Sequence, residues 1–177
     1  MGTMALNFTL GFVRHNDQFL MLFRNKPPNQ YKWNGVGGKI EHGESPHEAM
    51  VREIREESGI VVDDVHFRGI VTWQNRRQTY VGGMYVFVAD SPTDRFVAGE
   101  EGKLQWKTLD WIINSGKAVS NIPIFLPPML DEDQRPLHYS FLYDDRGNIQ
   151  SYGIKPVAES ILTSQQSADE RGTFQSR

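Results

Sequence analysis

Apolar runs separated by polar or glycine-bearing breaks set out most of the chain. NFTLGFVRH (residues 7–15) and QFLMLFRN (18–25) read as two strands, and the turn-forming pair Asn16-Asp17 between them predicts a hairpin. In KPPNQYK (26–32) adjacent prolines forbid regular structure, so a loop is expected there, and Trp33 then opens a glycine-dense stretch, WNGVGGK. Residues 45–59 carry full helix punctuation: Ser45 as N-cap, Pro46 at the first helical position, Glu48 completing a capping box, and Gly59 as the stop. Ala49, Met50 and Ile54 form an apolar stripe that turns one face of this helix inward and leaves the acids on another.

Two β-rich runs follow, IVVDDVHFRGIVTW (60–73) and QTYVGGMYVFVAD (78–90), with Gly82-Gly83 read as a bulge. A polar loop, SPTDRFVAGEEGK, leads to LQWKTLDWI, a strand running into a short helix. NIPIFLPPML reads as a short helix interrupted by proline, and HYSFLY-DDRG-NIQSYGI as a hairpin. Beyond about Lys155 the hydrophobic pattern fades. The expectation is one domain over 1–155, with 156–177 a frayed or partly helical tail. Strands on both sides of one central helix predict a mixed α+β sandwich rather than a parallel doubly wound sheet.

Composition narrows the function classes. At 177 residues, 38% hydrophobic and 23% charged, the chain suits one globular core. A formal net charge of −3 and a pI near 5.9 provide no overall basic field for duplex nucleic acid. With no cysteine, disulfides, thiolate zinc sites and a cysteine nucleophile are all excluded. No apolar run approaches the roughly 20 residues that span a bilayer, and the first residues lack a signal-peptide pattern, so a soluble, cytoplasmic protein is expected.

The candidate chemistry lies on the acidic helix. Glu53, Glu56 and Glu57 stand at i, i+3 and i+4, which places them on one face. Like charges at that spacing destabilise an isolated helix by about 0.2–0.5 kcal/mol per pair, and a divalent cation reverses the sign of that term. Carboxylate oxygens are hard ligands that suit Mg²⁺ or Mn²⁺. The competing reading is a solvated face screened by Arg52 and Arg55.

Spacing decides between them. Gly38, five residues, Glu44, seven residues, Arg52-Glu53, Ile54, one residue, Glu56-Glu57, one residue, Gly59, Ile60 matches every fixed position of the signature of the Nudix hydrolases. At roughly 5–7% background per identity, a chance match has a probability of about 10⁻⁹ per start site. The chain therefore resembles that family, and the resemblance implies a Nudix-type α/β/α sandwich with a mixed sheet and a loop-helix-loop that hydrolyses a nucleoside diphosphate linked to another moiety. Carried over residue by residue, Glu53, Glu56 and Glu57 become metal ligands with the Gly38 carbonyl. Arg52 and Glu44 become orienting partners through an arginine fork. Glu101, in AGEEGKLQW beside Glu100, is the expected further ligand or general base, with Glu53 the alternative base.

Outside the box, WNGVGGK, GMYVFVAD, EEGKLQWKTLDWI, FLPPML and the last hairpin resemble the MutT-type enzymes that sanitise oxidised purine nucleoside triphosphates, most closely their animal counterparts. That resemblance implies substrate contacts from Asn34, Gly37, Lys39, Asn121, Phe23 and Arg24. Asn34 and Asn121 would meet the purine edge, since a carboxamide both donates and accepts. Lys39 and Arg24 suit phosphates, and Phe23, Phe12 and Tyr31 suit the nucleoside wall. Asn34 has a competing reading as a turn residue beside Gly35, and Asn121 reads equally as a helix cap. Where the animal subfamily has a tryptophan and paired aspartates, this chain has Val119, Asn121 and Ile122. The expected substrate is thus 8-oxo-dGTP or a similar nucleotide; the alternatives are ADP-ribose, another NTP or a dinucleotide polyphosphate. A non-catalytic module on the same fold is disfavoured because every box glutamate is present. Monomer and homodimer are both compatible with the sequence.

Overall fold

The structure, a computed structural model, describes residues 4–77 and 81–165. Chain order is β1 (Met4–His15), β2 (Gln18–Arg24), β3 (Trp33–Asn34), β4 (Val36–Lys39), α1 (Pro46–Ser58), β5 (His66–Asn75), β6 (Val81–Asp90), β7 (Gly102–Thr108), α2 (Leu109–Asn114), α3 (Ile122–Met129), β8 (Leu137–Tyr143) and β9 (Ile149–Pro156).

The predicted first hairpin forms, but it is short-lived. Asn16 takes the left-handed conformation at φ 55°, and β1 and β2 pair only at Arg14↔Phe19 and His15↔Gln18. The strands then diverge because β4 inserts along β1, from Phe8↔Lys39 to Gly11↔Val36. This accounts for Gly37 and Gly38 of WNGVGGK, which lie within β4, while Gly35 separates β3 from β4. A Cβ on Gly37 would lie 3.0 Å from the Leu10 Cα and closer still to the Thr9 carbonyl, so only glycine permits the approach. β1 also pairs in parallel with β6, and β5 with β8. The result is one mixed sheet in the order β3-β2-β1-β6-β5-β8-β9, with β7 on β2.

Alternation along the strands builds a core on each face. Val13, Leu20, Leu22, Phe87 and Ala89 pack with Met50 and Ile54 of α1. Their neighbours Phe12, Phe19, Met21, Val86 and Val88 pack with Ile112 of α2 and with Ile122, Phe125 and Leu126 of α3. This is the α/β/α sandwich expected, with α1 alone on its face among the named helices.

Two expectations are corrected. Residues 60–65 are not strand: Ile60, Val62 and Val65 bury their side chains from an irregular segment beneath α1, and β5 starts at His66. Gly82 and Gly83 pair regularly with Trp73 and Thr72, and the bulges lie on their partners, between Leu6 and Phe8 and between Phe67 and Gly69. The glycines serve close packing, since a Cβ on Gly82 would strike the Trp73 indole, 2.7 Å from Cε2. The start of the second β-rich run, residues 78–80, lies outside the described residues, as do 166–177 of the expected tail, whereas 159–165 are helical. Among the described residues no helix is long and apolar enough to cross a membrane.

Candidate active site

The acidic helix begins and ends as its punctuation dictates. Ser45 Oγ accepts the Glu48 N–H at 3.1 Å, and Gly59, at φ 72°, donates its N–H to the Arg55 carbonyl at 2.8 Å. These two ends fix the helical phase, so the apolar stripe dictates where the acids point. Glu57 shares the stripe's side and is buried at 8% exposure, Glu53 is nearly so, and the Glu56 side chain is 61% exposed. The one-face expectation is thereby refined into a row running from core to solvent.

Arg52 ties this row to the preceding loop. Its Nε and Nη2 donate to the two carboxylate oxygens of Glu44 at 2.6 and 2.9 Å, a two-pronged fork, and Nη2 also reaches the Lys39 carbonyl at 3.1 Å. Nη1 donates to Glu53 at 2.9 Å and to Glu56 at 3.1 Å. Glu44 in turn accepts the Glu41 N–H at 2.9 Å, so Glu41 contributes through its backbone. The guanidinium holds the Glu44 carboxyl below its ordinary range and is itself held charged.

Glycines admit the carboxylates. The Glu53 carboxylate occupies the space a side chain at Gly38 would need, with Cδ 2.6 Å from the ideal Cβ position. Gly37 donates its N–H to Glu57 Oε2 at 3.2 Å. Burial raises both acids. For Glu53 the adjacent Arg52 opposes burial. Glu57 is pushed up to about 8 by burial first and by the Glu53 charge next, with Glu101 adding and the Gly37 N–H and Arg24 opposing.

That last pair shows what the tertiary structure brings together. Glu101, distant in sequence, lies within electrostatic reach of Glu57, and its carboxylate is 3.2 Å from Lys26 Nζ. The loop carrying it runs past the end of α1, where the Val97 N–H donates to the Ser58 carbonyl at 2.8 Å. Arg24 also acts on Glu57, while its Nε donates to the Pro28 carbonyl at 2.6 Å. Lys39 is exposed beside the fork.

The base-side candidates are more scattered. Asn34 Oδ1 accepts the Gly35 N–H at 2.9 Å, so its turn role is real. Phe23 packs on Trp33 with ring centroids 5.2 Å apart, and with Tyr31 and Lys117 it borders a cleft of about 550 Å³. Asn121 is buried, caps nothing with its side chain, and donates Nδ2 to the Tyr143 hydroxyl at 3.1 Å. Phe12 is fully buried against Phe125, a correction to its place on the nucleoside wall that follows from its position in the α3-side core. Val119 and Ile122 are buried too. Asn25 and Lys26 also touch the Glu100-Glu101 turn, and nothing in an asparagine and a lysine before Pro-Pro marks in the sequence a partner about 75 residues away.

As placed, no three His, Asp or Glu side chains among the described residues converge tightly enough to clasp an ion. The donor types nonetheless suit a hard divalent cation: the Glu53 carboxylate lies against Gly38, Glu57 accepts the Gly37 N–H, and Glu56 stands one turn along the helix from Arg52.

Comparison with known proteins agrees with this geometry. The family model of the NUDIX domain matches residues 7–127. An uncharacterized Nudix hydrolase of Bacillus subtilis (strain 168), YvcI, is 33% identical over 148 residues, covering 81% of this chain and 90% of its own. The oxidized purine nucleoside triphosphate hydrolases of Mus musculus and Danio rerio are 27% and 33% identical, over 85% and 74% of this chain and 94% and 83% of theirs. The crystal structure of the Mutator MutT protein from Bacillus halodurans superposes with a TM-score of 0.71 at 28% identity, covering 85% of this chain and 98% of that one. With the box intact on a capped helix and the sandwich matched nearly end to end, the chain belongs to the Nudix hydrolases, enzymes that cleave pyrophosphate bonds.

Proposed function

We propose that this Nudix hydrolase cleaves oxidised purine nucleoside triphosphates, 8-oxo-dGTP among them, to the monophosphate and pyrophosphate. The observation that carries the substrate reading is the pair of animal relatives named for that activity, which align over 94% and 83% of their own lengths. Glu53, Glu56, Glu57 and the Gly38 carbonyl hold Mg²⁺, or Mn²⁺ in its place. When bound, such a cation offsets the diphosphate charge and acidifies water. Arg52, forked on Glu44, keeps Glu53 and Glu56 turned toward one another's side of the helix. Glu101, with Glu53 the alternative, takes the proton of the attacking water as the P–O bond to pyrophosphate breaks. Arg24, Lys39 and the Gly37 backbone face the phosphates. Asn34, whose oxygen is engaged by Gly35, offers its amide donors to the purine, Asn121 offers its oxygen, and Phe23 walls the nucleoside.

A second reading keeps the reaction and changes the substrate. It is favoured by Val119 and Ile122, which are buried where the animal subfamily carries a stacking tryptophan and a base-reading aspartate. Product analysis on 8-oxo-dGTP, dGTP, ADP-ribose and diadenosine polyphosphates with Mg²⁺ separates the two. The first reading expects 8-oxo-dGTP among the better substrates. Its rank below ADP-ribose or the dinucleotides would leave the hydrolase and remove the sanitising role.

A further inference from the structure

The residue just past β2, Asn25, grips the turn that bears Glu101. The β2–β7 ladder ends at Arg24↔Gly102, and Asn25 prolongs it by one step: its N–H donates to the Glu101 carbonyl at 3.3 Å, and its Nδ2 to the Glu100 carbonyl at 3.1 Å. Gln30 Nε2 secures Asn25 from behind, donating to its carbonyl at 3.0 Å. On the other side of the turn, a Cβ on Gly102 would lie 2.9 Å from the Phe23 carbonyl carbon, so the chain leaves the turn along one close-packed path. Both carbonyls of the acid pair are thus held from a single side chain and its own amide.

We propose that Asn25 is a positioning residue for Glu101: by clamping the Glu100-Glu101 backbone it fixes where an otherwise exposed loop carboxylate stands. A glutamate on a free loop samples positions several ångströms apart, and a misplacement of about 1 Å at a reacting group costs up to a hundredfold in rate. Asn25 is suited to this and Asp is not, because the side-chain bond to the Glu100 carbonyl is donated, and a carboxylate has no donor to give it.

The inference rests on the reading that Glu101 serves the reaction, and the test separates the two. In the full chain, with the best substrate of the panel above, Glu101→Gln is expected to lower kcat about a hundredfold. Asn25→Ala and Asn25→Asp are each expected to lower kcat about tenfold with KM little moved, the size typical of residues that orient a working group. On a Glu101→Gln background, Asn25→Ala is expected to cost nothing further. Amide hydrogen exchange, measured without metal or substrate, is expected to quicken at residue 25 and over 98–102 in Asn25→Ala and to stay unchanged in α1. Full turnover in Glu101→Gln removes the role of Glu101 and the positioning role with it. Loss in Glu101→Gln without loss in Asn25→Ala, additive losses in the double variant, or unchanged exchange would remove the positioning role alone.

Discussion

At the scale of single residues, three glutamates of one helix differ because their depths differ. Glu57 is buried with one backbone donor, Glu53 sits in the space left by Gly38, and Glu56 extends into solvent along Arg52. Substituting Glu57 by Gln is expected to lower turnover by orders of magnitude and leave the thermal midpoint in chelator unchanged or higher, because a buried carboxamide carries no charge to desolvate. Glu56→Gln should lose comparable activity with a stability change below about 0.5 kcal/mol, the scale of an exposed i,i+4 pair. Wild-type turnover in either variant would overturn the ligand assignment. Arg52→Lys is a separate case: one ammonium cannot reproduce the fork on Glu44 together with the bonds to Glu53, Glu56 and Lys39. An expected 10–100-fold drop in kcat/KM, read by steady-state kinetics, would be refuted by a lysine variant of wild-type efficiency.

At the scale of elements, the acidic helix is legible from sequence because its ends are local events. Ser45, Pro46 and Gly59 act within a few residues of where they stand, and each takes the place its chemistry predicts, Ser45 accepting the Glu48 N–H. Ser45→Ala removes the acceptor for the Glu48 N–H, and Gly59→Ala forces a side chain into φ 72°. Each is expected to cost about 1 kcal/mol, measured as a shift of the urea midpoint at constant slope; no shift in either would show that the ends are held by tertiary packing instead. The short strands β3 and β4 are the opposite case. Two and four residues of WNGVGGK carry no periodicity to read, and they are strands only because β1 and β2 supply backbone partners. Likewise IVVDDV has β-favouring residues but lies under α1, and no strand edge is there to pair with it.

At the scale of the whole molecule, both faces of one sheet carry a core, so charges placed within it report on global stability. His138 of β8 is buried beside Thr72 of β5, with Nε2 2.8 Å from the hydroxyl, and burial, aided by the Lys155 charge, lowers its pKa to about 4. The unfolded chain takes up a proton near 6.5 while the folded one stays neutral, so this contribution is complete above about pH 6.5 and is lost as pH falls toward 4, by up to ~3 kcal/mol. Glu57, raised to about 8, acts in the opposite sense in chelator: its contribution is present below about pH 4.5 and is lost as pH rises through 8. The wild-type profile mixes the two, so the difference between wild type and His138→Gln isolates the first. Denaturant titrations at pH 7 and pH 5 are expected to show the variant losing less stability than wild type between them; parallel losses would refute the assignment.

By itself, the sequence determined what local chemistry and spacing determine: the capped helix, the pairing of Arg52 with Glu44, the family, and the strand alternation that places a layer on each face. Which glutamate is buried, the separation of Asn34 and Phe23 from a core-bound Phe12, and the meeting of the Asn25 segment with the Glu100-Glu101 turn emerge from the folded arrangement alone. The reason is physical. A cap or an i,i+4 pair is completed by atoms a turn away, whereas the depth of a carboxylate and the aim of a loop are set by strands paired across dozens of residues, and no short stretch of chain encodes its partner.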